Sequence, residues 1–382
     1  MINYGRHFVD NSDVRTVLKS LKSENITQGS QIFNFENQLS NKFGSKYCSV
    51  VSSGTAGLHL VANTLNWKKN DIIFCSPITF LATSNSIIYQ NATPFFIDIE
   101  LQNYNIDPNI IEKKLQLSRI RKAAKAIIAT DFAGHPCDWD ALKYLSKKYN
   151  LKLINDNCHA IGAEYKNNFK YAQKYSDFVV HSYHAVKNMT TGEGGAVFTN
   201  NRTYKQKIDQ LRTHGVIRKS KRLYPWKYEM TNLGFNYRMT DFQASLGISQ
   251  LKKLDNFLKQ RRKIADLYNE LFSQLDNCKT PIVKKNNKHA YHIYPILINF
   301  KKTIKGDKLS LFKVFKKNKI NLQVHYIPIY RQPYYKQKFN YNFKDFPNAE
   351  FFYKQEVSLP IFYKMKKNVI SKVFKIMKEY VG

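Results

Sequence analysis

The chain has 382 residues, 61 Lys plus Arg against 28 Asp plus Glu, a formal net charge of +33, and 43% hydrophobic and 14% aromatic residues. That length and apolar content suit two domains with substantial cores and exclude a disordered chain; no apolar run approaches the roughly 18 residues that span a bilayer and no targeting signal is evident, so a cytoplasmic protein without membrane contact is expected. The charge suggests a nucleic-acid partner, but lysines are scattered through nearly every segment, and the joint abundance of Lys, Asn, Ile, Phe and Tyr beside only 15 Gly and 11 Pro fits an AT-rich coding sequence; the charge is read as solvated surface, with no nucleic acid bound specifically.

Strands are expected at 47–51, 71–75, 94–99, 126–130, 151–155, 177–182 and 195–199, alternating with helical stretches. That rhythm predicts an α/β fold with an open, mainly parallel sheet covered by helices. The first strand feeds Ser52-Ser-Gly54-Thr55-Ala56 and then a helical run to Leu65. A strand, a small-residue turn and a helix together offer free backbone N–H groups to an anion, although the same residues are ordinary helix caps. Ser76-Pro-Ile-Thr-Phe80 repeats the arrangement after Asp71–Cys75; by residue type and place alone, Phe80 is expected in the core. In Ile154-Asn-Asp156-Asn-Cys-His159, the acid is expected just past the end of its strand, where open α/β sheets place ligands.

Phe178–Val180 and Gly194–Phe198 read as buried strands, and the polar turn between them carries Lys187. Most lysines of so basic a chain are solvated charges, but one in such a turn is pinned near a core. Beyond a basic loop at Arg218–Lys227 without apolar period, 239–272 reads as one or two long amphipathic helices with Phe242, Leu246, Leu251, Leu254 and Leu258 on one side. Ala290–Ile298 is the first clear strand of a smaller domain. Residues 1–245 are expected to form an N-terminal segment and large domain, and 246–382 connecting helices and a small C-terminal domain. The five cysteines are odd in number and lack C-x-x-C spacing, so neither a disulfide nor a metal site is expected.

One lysine and one buried-looking aspartate are what pyridoxal phosphate requires. Its aldehyde is held as a Schiff base by an amine, and its ring is an electron sink only while a carboxylate keeps the pyridine nitrogen protonated. The amine must also act as a base, so its pKa must fall from about 10.4 through burial or a nearby cation.

The ordered motifs Ser53-Gly-Thr-Ala56, Ser76-Pro-Ile-Thr-Phe80, Asp156-Asn-Cys-His159-Ala-Ile-Gly-Ala163, Ser182-Tyr-His-Ala-Val-Lys187-Asn-Met-Thr-Thr-Gly-Glu-Gly-Gly195 and Asn236-Tyr-Arg-Met-Thr-Asp-Phe-Gln-Ala244 resemble the DegT/StrS family of sugar-nucleotide aminotransferases over essentially the whole chain. The resemblance implies an aspartate-aminotransferase-like (fold type I) large domain, mainly parallel in its sheet, with a smaller C-terminal α/β domain. It implies that pyridoxal 5'-phosphate forms its Schiff base on Lys187, that Asp156 pairs with the ring nitrogen, and that His159 lies near the ring and its oxygen substituent. Thr55, Ala56 and Ser182 would hold the phosphate, Phe80 would stack on the ring, and Asn236 would reach in from the partner of a homodimer with shared active sites. Tyr4, Thr27, Gln28, Gly29, His325 and Tyr326 would line the sugar-nucleotide pocket.

The runs Leu233–Met239, Gln323–Tyr330 and Ser358-Leu-Pro360 extend the likeness to members acting in pseudaminic acid synthesis. The implied reaction is transfer of an amino group from L-glutamate to carbon 4 of a UDP-linked 4-keto-6-deoxy-HexNAc, with carbon 3 or another keto sugar nucleotide as the alternative. Some members carry His in place of the lysine and act as dehydratases; this chain keeps the lysine, so transamination is expected. Asn155 and Asn157-Cys158 depart from the acid and small residues of many relatives, and are expected to tune the surroundings of the ring.

Overall fold

The computed structural model describes residues 1–218 and 224–382; the expected basic loop at 218–227 therefore lies partly outside the described residues. A seven-stranded sheet is built from β1 (Tyr47–Val51), β2 (Ile72–Cys75), β3 (Thr93–Phe96), β4 (Ala124–Thr130), β5 (Lys152–Asp156), β6 (Phe178–Ser182) and β7 (Gly195–Thr199), in the order β1-β7-β6-β5-β4-β2-β3. Only β7 runs against its neighbours. The central strands are apolar on both sides because both faces are covered. Leu153, Ala129, Val179 and Phe198 join one core, and Ile154, Ile128, Val180 and Val197 the other.

The parallel strands end at one edge of the sheet. β1 turns through Ser53 into the helix Gly54–Thr64, and β2 through Ser76–Phe80 into the helix Leu81–Ile88. Asp156 is the last paired residue of β5, opposite Thr130 of β4 and Val180 of β6, rather than just past the strand as its polarity suggests. Because β7 is antiparallel to β6, the segment 183–194 loops back at this same edge. It is tied by Tyr183 N–H to Gly194 O (2.8 Å) and Thr191 N–H to Tyr183 O (3.0 Å). Lys187 is therefore presented beside the ends of β5 and β6.

The stretch from 239 forms one helix, Asp241–Phe272, opened by a reciprocal cap between Thr240 and Gln243. Its 32 residues reach about 48 Å. Leu251, Leu254 and Leu258 pack into a large-sheet core, whereas Ile264, Tyr268 and Phe272 belong to a third core. The expected boundary between residues 245 and 246 falls inside this continuous helix, and the change of core comes between Leu258 and Ile264. After a two-residue pair, β8 (Val216–Ile217) with β9 (Glu229–Met230), the third core is built on an antiparallel sheet of β10 (Cys278–Lys279), β11 (Tyr294–Ile298) and β12 (Glu356–Leu359). Pairing of β11 begins at Tyr294 and not at Ala290, since Tyr291 has φ 47° and breaks the extended run. No helix among the described residues is long and apolar enough to cross a membrane.

Candidate active site

A cavity of about 610 Å³ opens at the carboxyl edge of the large sheet, facing the small sheet. It lies within the range of small-ligand sites. Its wall takes Thr55, Phe80, Asp156, His159, Ser182 and Lys187 from the large-sheet loops, and Tyr4, His325 and Tyr326 from the N-terminal and C-terminal segments.

Asp156 is 4% exposed. Its Oδ2 accepts from Thr83 Oγ1 (2.7 Å) and Thr130 Oγ1 (3.4 Å), and its Oδ1 from the Cys158 backbone N–H (3.3 Å). Thr79 joins the two threonine hydroxyls, at 2.9 Å from Thr83 and 3.1 Å from Thr130. A carboxylate so held stays fixed in direction, each charge-assisted bond contributing about 1.5–3 kcal/mol. Its neighbours Asn155 and Asn157 do not tune this site. Alternation along the strand turns them the other way, and both side-chain amides donate to buried Asp131, at 3.1 Å and 3.0 Å, beside Tyr171.

Lys187 is half-buried in the cavity wall, and desolvation of its amine lowers its pKa against the opposing influence of Cys158 and Asp156. Its Nζ lies 3.3 Å from His292 Nε2. Burial also holds the pKa values of His159 and His292 well below the ordinary range, reinforced by the Lys187 charge, so both imidazoles are neutral near pH 7. His159 Nε2 is 3.1 Å from the Tyr326 hydroxyl, and its ring is 4.7 Å from that of His292. His292 was not legible in the sequence, where Tyr291-His-Ile-Tyr294 reads as an alternating strand. Thr79, Thr83 and Thr130 were equally hidden, because threonine is ordinary in a turn, at a helix start and at a strand end.

At the other end of the cavity, Ser53 caps the helix Gly54–Thr64 by accepting the Ala56 N–H at 3.0 Å. The Gly54 and Thr55 N–H groups then remain at a positive helix end, beside the Thr55 and Ser182 side chains. A Cβ on Gly54 would stand 2.9 Å from Ser182 Cβ, so glycine is what lets the turn approach β6. Ala56 does not reach the cavity: its N–H is already engaged and its side chain is buried.

Phe80 is 55% exposed and lines the cavity, so the core expected for it is not where it lies. As the residue before the helix Leu81–Ile88 it is turned outward, its ring 6.1 Å from Tyr326.

Thr27, Gln28, Gly29 and Asn236 are not brought into the cavity of their own chain. The Gly29 N–H is drawn to Asp241 Oδ2 (2.7 Å), and Gln31 N–H to Oδ1 (3.0 Å), at the start of the long helix. Thr27 bridges Thr240, and Asn236 bridges Thr213. Gln28, Gly29 and Thr213 line a separate open groove with Arg212 and Arg238, while Asn236 and Thr27 are exposed.

A fixed carboxylate, a desolvated amine, a small-residue helix end, and a cavity flanked by Phe80 and His159 fit a flat phosphorylated aldehyde with a basic ring nitrogen. The DegT/DnrJ/EryC1/StrS aminotransferase family model matches residues 8–378. A protein of Methanocaldococcus jannaschii with no assigned role is 41% identical over 99% of this chain and 97% of its own. The UDP-4-amino-4,6-dideoxy-N-acetyl-beta-L-altrosamine transaminase of Campylobacter jejuni is 37% identical over 100% of both chains. Among solved structures, Helicobacter pylori PseC, an aminotransferase of pseudaminic acid biosynthesis, superposes with a TM-score of 0.91 at 31% identity, covering 99% of this chain and 98% of its own.

Proposed function

The chain belongs to the DegT/DnrJ/EryC1/StrS aminotransferase family, and from that premise we propose that it transfers an amino group from L-glutamate to carbon 4 of a UDP-linked 4-keto-6-deoxy-HexNAc. The aminotransferases of the family depend on pyridoxal phosphate. The observation that carries the assignment to this cavity is the desolvated Lys187 amine, its pKa lowered, in one pocket with the fixed Asp156 carboxylate. The choice of sugar rests on the Campylobacter and Helicobacter relatives and what they act on.

When bound, the cofactor supplies an electron sink that allows a proton to leave the amine-bearing carbon. Asp156 would face the ring nitrogen and hold its proton there. The Gly54 and Thr55 N–H groups, with the Thr55 and Ser182 hydroxyls, would take the phosphate, and Lys187 would hold the aldehyde carbon. Phe80 and His159 would flank the ring. Once displaced by the donor amine, Lys187 would carry the proton between the donor carbon and the former aldehyde carbon as general base and acid. Neutral His292, its Nε2 3.3 Å from Nζ, can hydrogen-bond the amine in either protonation state, while desolvation is what favours the free amine.

Tyr4, His325 and Tyr326 would receive the sugar, whose diphosphate is attracted by the basic surface. A second copy of the chain would supply Asn236 and the 27–29 loop, which stand away from their own cavity. Purified protein given pyridoxal phosphate should be yellow and bleach with L-glutamate. The aminated form should then convert a 4-keto-6-deoxy UDP-HexNAc to a product whose NMR spectrum places the new amine on carbon 4. Protein that stays colourless refutes the chemistry, and amination at carbon 3 or of a different keto sugar refutes the substrate.

A further inference from the structure

Glu356, on β12, is wholly buried, and the mechanism above does not use it. Its Oε2 accepts the backbone N–H of His325 (3.0 Å), and its Oε1 accepts from Ser358 Oγ. Ser358 Oγ in turn lies 2.8 Å from His325 Nδ1. The three residues form a closed relay behind the cavity wall, and His325 is the member that reaches the wall. His325 Nε2 has no hydrogen-bond partner among the described residues, and burial with the nearby Lys187 charge lowers the ring pKa to about 3, so the imidazole is neutral.

The direction of the relay follows from proton counting. Ser358 has one hydroxyl proton, and an ionised Glu356 can only accept it. The Ser358 oxygen must then accept from Nδ1–H, which leaves Nε2 bare. We propose that Glu356, acting through Ser358, decides which ring nitrogen of His325 carries the proton, and so presents Nε2 as an acceptor to a proton-donating group of the sugar, an amide N–H or a ring hydroxyl. Glu356 is thus a positioning residue for substrate choice; the sugar end of the inference rests on the function proposed above.

The charged and titratable groups around Glu356 are Lys308, His325, Tyr104 and Tyr326. Burial raises its carboxyl pKa to about 8, with Lys308 opposing. The test is therefore made at pH 9, where the carboxylate is charged.

Glu356→Gln reverses the relay without changing its shape. The His325 N–H still needs an acceptor, so the amide oxygen takes the place of Oε2 and the NH₂ faces Ser358. Ser358 must then donate to Nδ1, and the ring proton moves to Nε2. In protein carrying ¹⁵N-labelled histidine, with the His325 signal assigned by its loss in His325→Gln, the unsubstituted protein should show Nδ1–H and Glu356→Gln should show Nε2–H. The same tautomer in both overturns the proposal. If Glu356→Gln does not fold, Ser358→Ala cuts the relay and should give a mixture of tautomers; a single Nδ1–H form there overturns it equally. For the folded Gln variant, KM for the keto sugar nucleotide should rise about tenfold with kcat within about threefold. An unchanged KM beside a reversed tautomer refutes the link to the sugar. The tautomer readout needs no substrate, so its failure is separate from failure of the proposed reaction. A substrate with an O-acetyl ester in place of the acetamido group, which keeps its shape but has no N–H, identifies the donor: the KM penalty disappears if it is the amide N–H and persists if it is a ring hydroxyl.

Discussion

Replacing Asp156 by Asn separates the charge of this side chain from its hydrogen bonds. The Cys158 backbone N–H, 3.3 Å from Oδ1, cannot turn around, so the Asn oxygen must face it. The new NH₂ group then takes the place of Oδ2 against Thr83 (2.7 Å) and Thr130 (3.4 Å). Both hydroxyls can rotate to accept, and Thr79 remains within 2.9 Å and 3.1 Å to take their protons. Each of these oxygens therefore keeps a partner, with only the Thr79 hydroxyl proton, on a residue that lines the cavity, left to find a new acceptor there, and the loss of stability should be about 1 kcal/mol or less, a shift of roughly 2 °C in Tm. The loss of charge is a different matter. A protonated ring nitrogen left in a buried site without its anion costs about 3–5 kcal/mol, which corresponds to a fall of roughly two to four decades in rate. Single-turnover bleaching of the yellow protein by L-glutamate measures the rate, and circular dichroism measures Tm. A variant that bleaches within about tenfold of the unsubstituted rate, with Tm unchanged, would refute the pairing of Asp156 with the cofactor ring.

Lys187, its pKa lowered by burial, loses its proton below the ordinary 10.5. Capture of pyridoxal phosphate by apoenzyme should thus accelerate as pH rises through a midpoint below 10.5, and Lys187→Ala should abolish covalent capture; a midpoint at or above that value contradicts the desolvated amine. Gly54→Ala places a Cβ 2.9 Å from Ser182 Cβ and 3.2 Å from Cys158 Sγ. The forced shift, costing about 1–3 kcal/mol, should weaken cofactor binding about tenfold or more by fluorescence titration, whereas unaltered affinity would remove the helix end from the phosphate site. Lys187→Ala and Asn236→Ala, each inactive alone, should regain activity when their subunits exchange, because one site of the mixed dimer recovers both groups; mixed dimers verified by mass spectrometry yet inactive would place Asn236 outside the partner's site.

The strands of the large sheet were legible because each is short, apolar and followed by a turn of small or polar residues, and their places agree closely with those expected. The differences are local. Asp156 completes β5 because Thr130 and Val180 pair with it on both sides, a tertiary effect that residue polarity does not report. The long helix was readable to its ends, but the handover between cores at Leu258–Ile264 was not, since the apolar stripe continues while the surface it packs against changes. Within the site, Lys187, Asp156 and His159 stand out because each departs from the pattern of its surroundings. Thr83 and His292 do not depart from theirs, and only the fold shows that one aims at the carboxylate and the other at the amine. Asn155 and Asn157 failed in the opposite sense. Adjacency in sequence suggested a shared environment with Asp156, whereas a strand turns successive side chains to opposite faces.

Residues 27–29 mislead when assigned to the pocket of one chain, whereas Asn236 was expected to reach in from the partner. A motif records which residues share a ligand, not which copy they come from. Here two segments far apart in sequence are held together by Asp241, which accepts from Gly29 and Gln31 where the helix after Asn236 begins. In the dimer proposed above, these residues, beside Arg212 and Arg238 and outside their own cavity, would face the second copy. Such a surface completes an active site only if the partner is another copy presenting its own cavity, and a two-fold arrangement completes both sites at once. Exchange of inactive subunits therefore probes the architecture itself, since Asn236 and residues 27–29 do not line the cavity of their own chain.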